Sequence, residues 1–137
     1  MTAVFAETFY WIALADATDR SHQRALALTD ERAGSQIVTT DEVLAEYLTF
    51  FAGAVEQFRR RAADGVERLL KSSAVRVIPQ SRESFRAGLK LYRARPDKGY
   101  SLTDCISMQT MRWEGLTEAL TNDRHFEQEG FRALFRD

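Results

Sequence analysis

The amino-acid sequence predicts an α/β fold, with a central and mainly parallel sheet of four to five strands between layers of helices. Two observations carry this. Short runs of strand length at Ala3–Ala6, Gln36–Thr39, Val75–Ile78 and Ala119–Thr121 alternate with longer stretches of helical periodicity. Strands that take turns with helices pair in parallel, because a parallel neighbour is reached only by a crossover. The first run is also apolar at nearly every position, the pattern of a strand covered on both faces. With 137 residues, 45% of them apolar, the chain has material for one domain with a real core, spanning residues 1–137, and too little for two.

After the first run, Glu7-Thr8 interrupts the apolar pattern, and Thr8 is placed to cap an aromatic helix carrying Phe9, Tyr10, Trp11, Ile12 and Leu14. Glu7 is then left at the carboxyl end of a strand, where open α/β sheets place their ligands; a polar strand end also needs no ligand to explain it. Asp16 to Asp19 reads as a turn and Ser21 to Arg32 as a second helix, with Ala25, Leu26 and Leu28 inward. The second strand ends at Thr39, which with Glu42 makes a capping pattern for a helix whose stripe is Val43, Leu44, Tyr47, Leu48 and Phe51. Glu46 borders that stripe, where a lone carboxylate needs a partner or a cation.

Gly53 precedes a longer helix with Val55, Phe58, Ala62, Val66, Leu69 and Leu70. The third strand is closed by Pro79, and Ser81 opens a helix predicted to turn Phe85, Leu89 and Tyr92 inward. Arg82, Arg86, Lys90 and Arg93 line one side of it, as a solvated face or a track for phosphates. Arg95 to Gly99 is a loop by its proline and glycine. Ser101 and Asp104 form a capping box at the head of a helix with Leu102, Cys105, Ile106, Gln109 and Trp113 inward. The fourth strand is followed by Asn122-Asp123 as its turn, a helical turn from Arg124 to Gln128, and an edge strand within Phe131–Phe135.

Bulk properties remove several classes of function. Nineteen basic against 20 acidic residues leave a formal net charge of −1, so nucleic-acid or membrane binding driven by a global field is excluded and any such contact is local. The single cysteine, Cys105, excludes an intrachain disulfide and suits a reducing compartment. No apolar run approaches the roughly 20 residues of a membrane span. No basic and apolar leader opens the chain, so a cytoplasmic location with no membrane partner is expected. A phosphate-accepting receiver domain would need a lysine late in the chain, and none follows Lys98.

In a doubly wound sheet, the strand ends at Glu7 and Asp123 can converge with the starts of the helices that carry Glu46 and Asp104. Four carboxylates with no cluster of cysteine or histidine form an all-oxygen set, which suits Mg²⁺ or Mn²⁺ better than zinc.

The same residues resemble a family. Val4 to Leu14, Thr40 to Glu46, Ser101 to Ser107 and Ala119 to Phe126 match, in order, the motifs of the PIN-domain nucleases, and within them the VapC-type toxins of bacterial toxin–antitoxin pairs. The resemblance implies a PIN-like three-layer α/β/α fold and a metal-dependent ribonuclease in which Glu7, Glu46, Asp104 and Asp123 are the catalytic acids. Glu7, Asp104 and Asp123 would hold Mg²⁺ or Mn²⁺. Thr8 and Thr121 match the family's supporting hydroxyls and Asp97 an acid often found before the third motif. It further implies an RNA substrate, a VapB-type antitoxin and a homodimer, with the aromatic surface around Phe9, Tyr10 and Trp11 and the helix from Val55 to Leu70 as candidate contact faces. Glu7 departs from the family, which usually has aspartate there. Octahedral Mg²⁺ demands ligands at about 2.0–2.1 Å, so the extra methylene makes a catalytically weakened or inactive RNA- or partner-binding module the alternative.

Overall fold

The computed structural model describes residues 2–137. Five strands form one sheet, β1 (Ala3–Ala6), β2 (Gln36–Thr40), β3 (Val75–Ile78), β4 (Glu118–Leu120) and β5 (Arg132–Ala133), in the order β3-β2-β1-β4-β5. Every pairing is parallel: Val4 lies against Ile37, Val38 against Arg76, Phe5 against Ala119 and Ala119 against Ala133. The strands step outward one way from β1 to β3 and the other way through β4 and β5. Strand order therefore reverses between β1 and β4, and a crevice opens at their carboxyl ends. Val4, Phe5 and Ala6 are fully buried in the central strand, which is why that run reads as unbroken apolar sequence.

Seven helices cover the sheet: α1 (Thr8–Ala15), α2 (His22–Glu31), α3 (Asp41–Phe50), α4 (Glu56–Lys71), α5 (Arg82–Ala94), α6 (Leu102–Glu114) and α7 (Arg124–Gln128). None of the described helices is long and apolar enough to cross a membrane. Gly115 ends α6 in the left-handed region at φ 69°, a conformation glycine adopts without a Cβ clash.

The element order follows the sequence expectation, but several faces and caps do not. α1 is capped by Glu7 rather than Thr8, and α3 by Thr40 rather than Thr39. Thr39 instead stays in the strand, fully buried, its hydroxyl donating to the Ala6 carbonyl at 2.8 Å. In α5 the inner face is Ser84, Gly88 and Leu91, while Phe85, Leu89 and Tyr92 are exposed. Gly88 is the cause. A Cβ there would overlap the Ile106 side chain and stand 3.1 Å from the Ile106 backbone nitrogen, so small residues let α6 approach and the bulky apolar stripe turns outward. Trp113 is likewise exposed, and α6 buries Cys105, Met108 and Met111. Leu26, Leu48, Val55 and Leu70 are exposed as well. The expected last strand shortens to Arg132–Ala133, followed by a 3₁₀ turn at Leu134–Arg136.

Candidate active site

Three of the four acids, Glu7, Asp104 and Asp123, sit at the N-terminus of a helix, and Glu46 lies within α3. Glu7 closes β1, where its N–H bonds the Leu120 carbonyl of β4 at 3.4 Å, and its side chain accepts the Phe9 N–H at 2.7 Å. The longer side chain thus serves as an N-cap. Glu46, on α3, accepts a hydrogen bond from the Thr8 hydroxyl. Asp104 and Ser101 exchange bonds, the Asp104 N–H to Ser101 Oγ at 3.0 Å and the Ser101 N–H to Asp104 Oδ2 at 3.1 Å. Asp123 caps α7 by accepting the His125 N–H at 2.9 Å, while its own N–H donates to Thr121 Oγ1 at 3.1 Å. Thr8 and Thr121 are therefore the hydroxyls that orient two of the acids.

The electrostatics mark these carboxyls as mutually unfavourable. Burial pushes Glu7 up to about 8; the Phe9 N–H works against the rise, and negative charge on Asp104, Glu46 and Asp123 adds to it. Burial also raises Asp104, opposed by its bonds to Ser101 and reinforced by Asp123 and Glu46. Among the described residues, the only basic group within 4.0 Å of any of the four is His125.

His125 was not among the residues expected from the sequence. Its Nδ1 lies 3.3 Å from Asp123 Oδ1 and 3.9 Å from Asp104 Oδ2, and that nitrogen is buried without a hydrogen bond. Donor atoms of Asp104, Asp123 and His125 fall within 4.8 Å of one another. The signal was present in Asn122-Asp123-Arg124-His125: a capping aspartate binds the amide two residues on and so brings that residue beside it. The donor set fits a divalent cation. Crowded oxygen donors, Asp104 with a raised affinity for its proton, beside an unpartnered buried nitrogen, are what a cation would relieve.

The remaining expected residues lie elsewhere. Asp97 is exposed in the loop after α5, with its carboxylate 3.9 Å from Lys98 and no hydrogen bond to the four acids. Arg82, Arg86, Lys90 and Arg93 are exposed on α5 and touch none of them. Of the aromatic surface, Tyr10 is buried with its hydroxyl on Thr29, and Phe9 packs edge-on against Phe135 at 4.9 Å. Trp11 alone of the three lines a cavity of about 520 Å³, formed with Tyr47, Phe51, Phe58 and Leu69 between α1, α3 and α4.

The chain is similar in sequence and fold to known proteins. Over 128 residues, 93% of this chain and 95% of the relative, the sequence is 27% identical to the 23S rRNA-specific endonuclease VapC20 of Mycobacterium tuberculosis. The crystal structure of that protein, a sarcin-ricin loop cleaving toxin, superposes with a TM-score of 0.81 over the same shares of the two chains. The fold also matches VapBC2 from Rickettsia felis (15% identity, 96% and 97% of the two chains, TM-score 0.67) and VapBC from Salmonella typhimurium (15%, 97% of each, 0.68), both solved bound to DNA. The pattern of the PIN domain covers residues 4–131. That span takes in Glu7, Glu46, Asp104, Asp123 and His125, and the chain belongs to the PIN domain family.

Proposed function

We propose that the protein is a divalent-cation-dependent endoribonuclease, the toxin of a toxin–antitoxin pair acting in the cytoplasm. The observation that carries this is the convergence of Glu7, Glu46, Asp104 and Asp123 at the β1/β4 switch point with no lysine or arginine among them. Water attacks the phosphorus, the new O–P bond forms as the bond to the leaving oxygen breaks, and one of the carboxylates receives the water's proton. Mg²⁺ or Mn²⁺ held by Glu7, Asp104 and Asp123, with His125 in reach, would supply positive charge against the phosphate and acidify a water. The chain's own contribution is positional. Thr8 holds Glu46, Ser101 holds Asp104, and the Thr121 hydroxyl and His125 amide hold Asp123, so the carboxylates are set before substrate arrives.

Nothing in the site favours the weakened or inactive alternative. Glu7 spends its extra methylene on capping α1 and keeps its charge among the other three acids. Structured ribosomal RNA is the first substrate class to test, because VapC20 acts on 23S rRNA. For the antitoxin we propose the apolar cavity beside Trp11, large enough for a few apolar side chains of a partner segment.

Purified protein should cleave RNA with Mg²⁺ or Mn²⁺ and not with a chelator. Asp104→Asn keeps the bonds to Ser101 through its amide oxygen yet removes the charge, and should lower the rate by at least about 10²-fold without lowering the melting temperature. RNA left intact by both the wild type and Glu7→Asp under both metals would overturn the proposal.

A further inference from the structure

We infer that the outward face of α5, with the groove where it meets the head of α6, binds a single-stranded segment of the substrate RNA, placing phosphates on Arg82, Arg86, Lys90 and Arg93 and a base on Phe85. This rests on the ribonuclease reading above. Helical spacing of 100° per residue sets the four cations opposite the buried Ser84, Gly88 and Leu91 and sets Phe85, Leu89 and Tyr92 between the two. Among the described residues, the cations are not neutralised by ion pairs. Arg32, Arg76, Arg95, Arg112 and Arg132 each hold a carboxylate, whereas among the described residues the four on α5 hold none.

The groove connects this face to the acids. It has a volume of about 590 Å³ and is bounded by Arg82 and Phe85 on one side and by Leu102 and Thr103 on the other. Thr103 is the neighbour of Asp104. Its one carboxylate, Glu42, stands a helical turn before Glu46. A strand whose scissile phosphate is at the acids thus has a continuous path onto α5. Phe85 is 40% exposed and Tyr92 51%, and the Arg82 guanidinium lies over the Phe85 ring at 5.7 Å, so a flat apolar surface and a cation are offered side by side. Single-stranded nucleic acid needs that combination. A second copy of the chain fits worse, since a two-fold contact through this face sets its unpaired cations against themselves.

Binding of a fluorescent single-stranded RNA to the Asp104→Asn protein, in chelator so that it is not cut, tests the assignment over a range of salt. The paired change Arg86→Glu and Lys90→Glu should weaken binding at least tenfold and reduce the slope of log affinity against log salt by about 1.4, two phosphate contacts at about 0.7 each. Phe85→Ala should weaken it roughly 5- to 100-fold with the slope unchanged. All three side chains are exposed, and thermal melts confirm that the variants fold. In the cutting protein, the same changes should raise KM and leave kcat in place. Unchanged affinity and slope in a protein that still binds and cuts RNA would overturn the α5 assignment and leave the ribonuclease reading standing. A parent of doubled mass that the paired change renders monomeric, with RNA binding intact, would overturn it in favour of a dimer face. A parent that neither binds nor cuts RNA would sink both.

Discussion

Replacing Glu7 by glutamine should make the metal-free protein more stable, by an amount that depends on pH. The amide oxygen can still accept the Phe9 N–H and cap α1, so the substitution removes charge and little else. Burial, with Asp104, Glu46 and Asp123 adding to it, takes the Glu7 carboxyl from 4.5 to about 8. The folded state keeps a proton that the unfolded chain has released, so stability falls as pH rises from 4.5 to about 8 and is level beyond. At 1.36 kcal/mol per pH unit the loss amounts to about 3 kcal/mol at pH 7 and about 5 kcal/mol above pH 8. A chain of this size should therefore melt roughly 10 °C higher as Glu7→Gln at pH 7 in chelator, and no higher at pH 4. Metal closes the gap at pH 7. Mn²⁺ at about 100 times its Kd adds about 3 kcal/mol to the wild type and little to the variant. Thermal melts from pH 4 to 9, with chelator and with Mn²⁺, read all of this. A wild-type stability that is flat between pH 5 and 8 in chelator, with Glu7→Gln indistinguishable from it, would refute the crowding of charge on which the site was built.

Two further outcomes test the frame around the site. Gly88→Ala forces a methyl group against Ile106 and should cost about 1–3 kcal/mol in urea unfolding; an unchanged midpoint would mean that α5 and α6 can separate freely. Glu129 is buried and accepts bonds from Arg95, Arg112 and Tyr100. Burial alone would raise its carboxyl, but the bonds from Arg112, Arg95 and Tyr100 outweigh that and hold it below 4.5. Its contribution is thus present above pH 4.5 and is lost as pH falls through the folded value. Glu129→Gln should lower the melting temperature by several degrees at neutral pH and little in acid; an equal effect at both would assign Glu129 a packing role only.

The strands were legible because each is a short apolar run bounded by polar or turn residues, and their alternation with helices implied parallel pairing without further information. Three of the acids were legible for a related reason: Glu7, Asp104 and Asp123 sit at the ends of apolar elements and interrupt a pattern, whereas Glu46 was read from its place beside the apolar stripe of α3. Caps were read one residue off where two neighbours could both serve. Glu7 and Thr8 can each accept a helix N–H, as can Thr39 and Thr40, and the choice depends on how far each strand must run to pair. The face of α5 was misread because amphipathic spacing ranks Phe85, Leu89 and Tyr92 above Ser84 and Gly88, whereas close helix contact selects for small volume. His125 escaped because its role comes from the cap at Asp123, a local geometry that composition does not show.

The pairing of β1 with both β2 and β4 also bears on the order in which the protein becomes active as it is made. Glu7 and Glu46 can meet once β1 and β2 have paired, but the crevice needs Phe5 beside Ala119. Asp123, its hydroxyl support at Thr121 and the His125 ring all lie beyond that point in the chain. A nascent chain on the ribosome thus carries three of its four acids without the wall that gathers them. The four carboxylates come together only once Asp123 has been made and β4 has paired with β1.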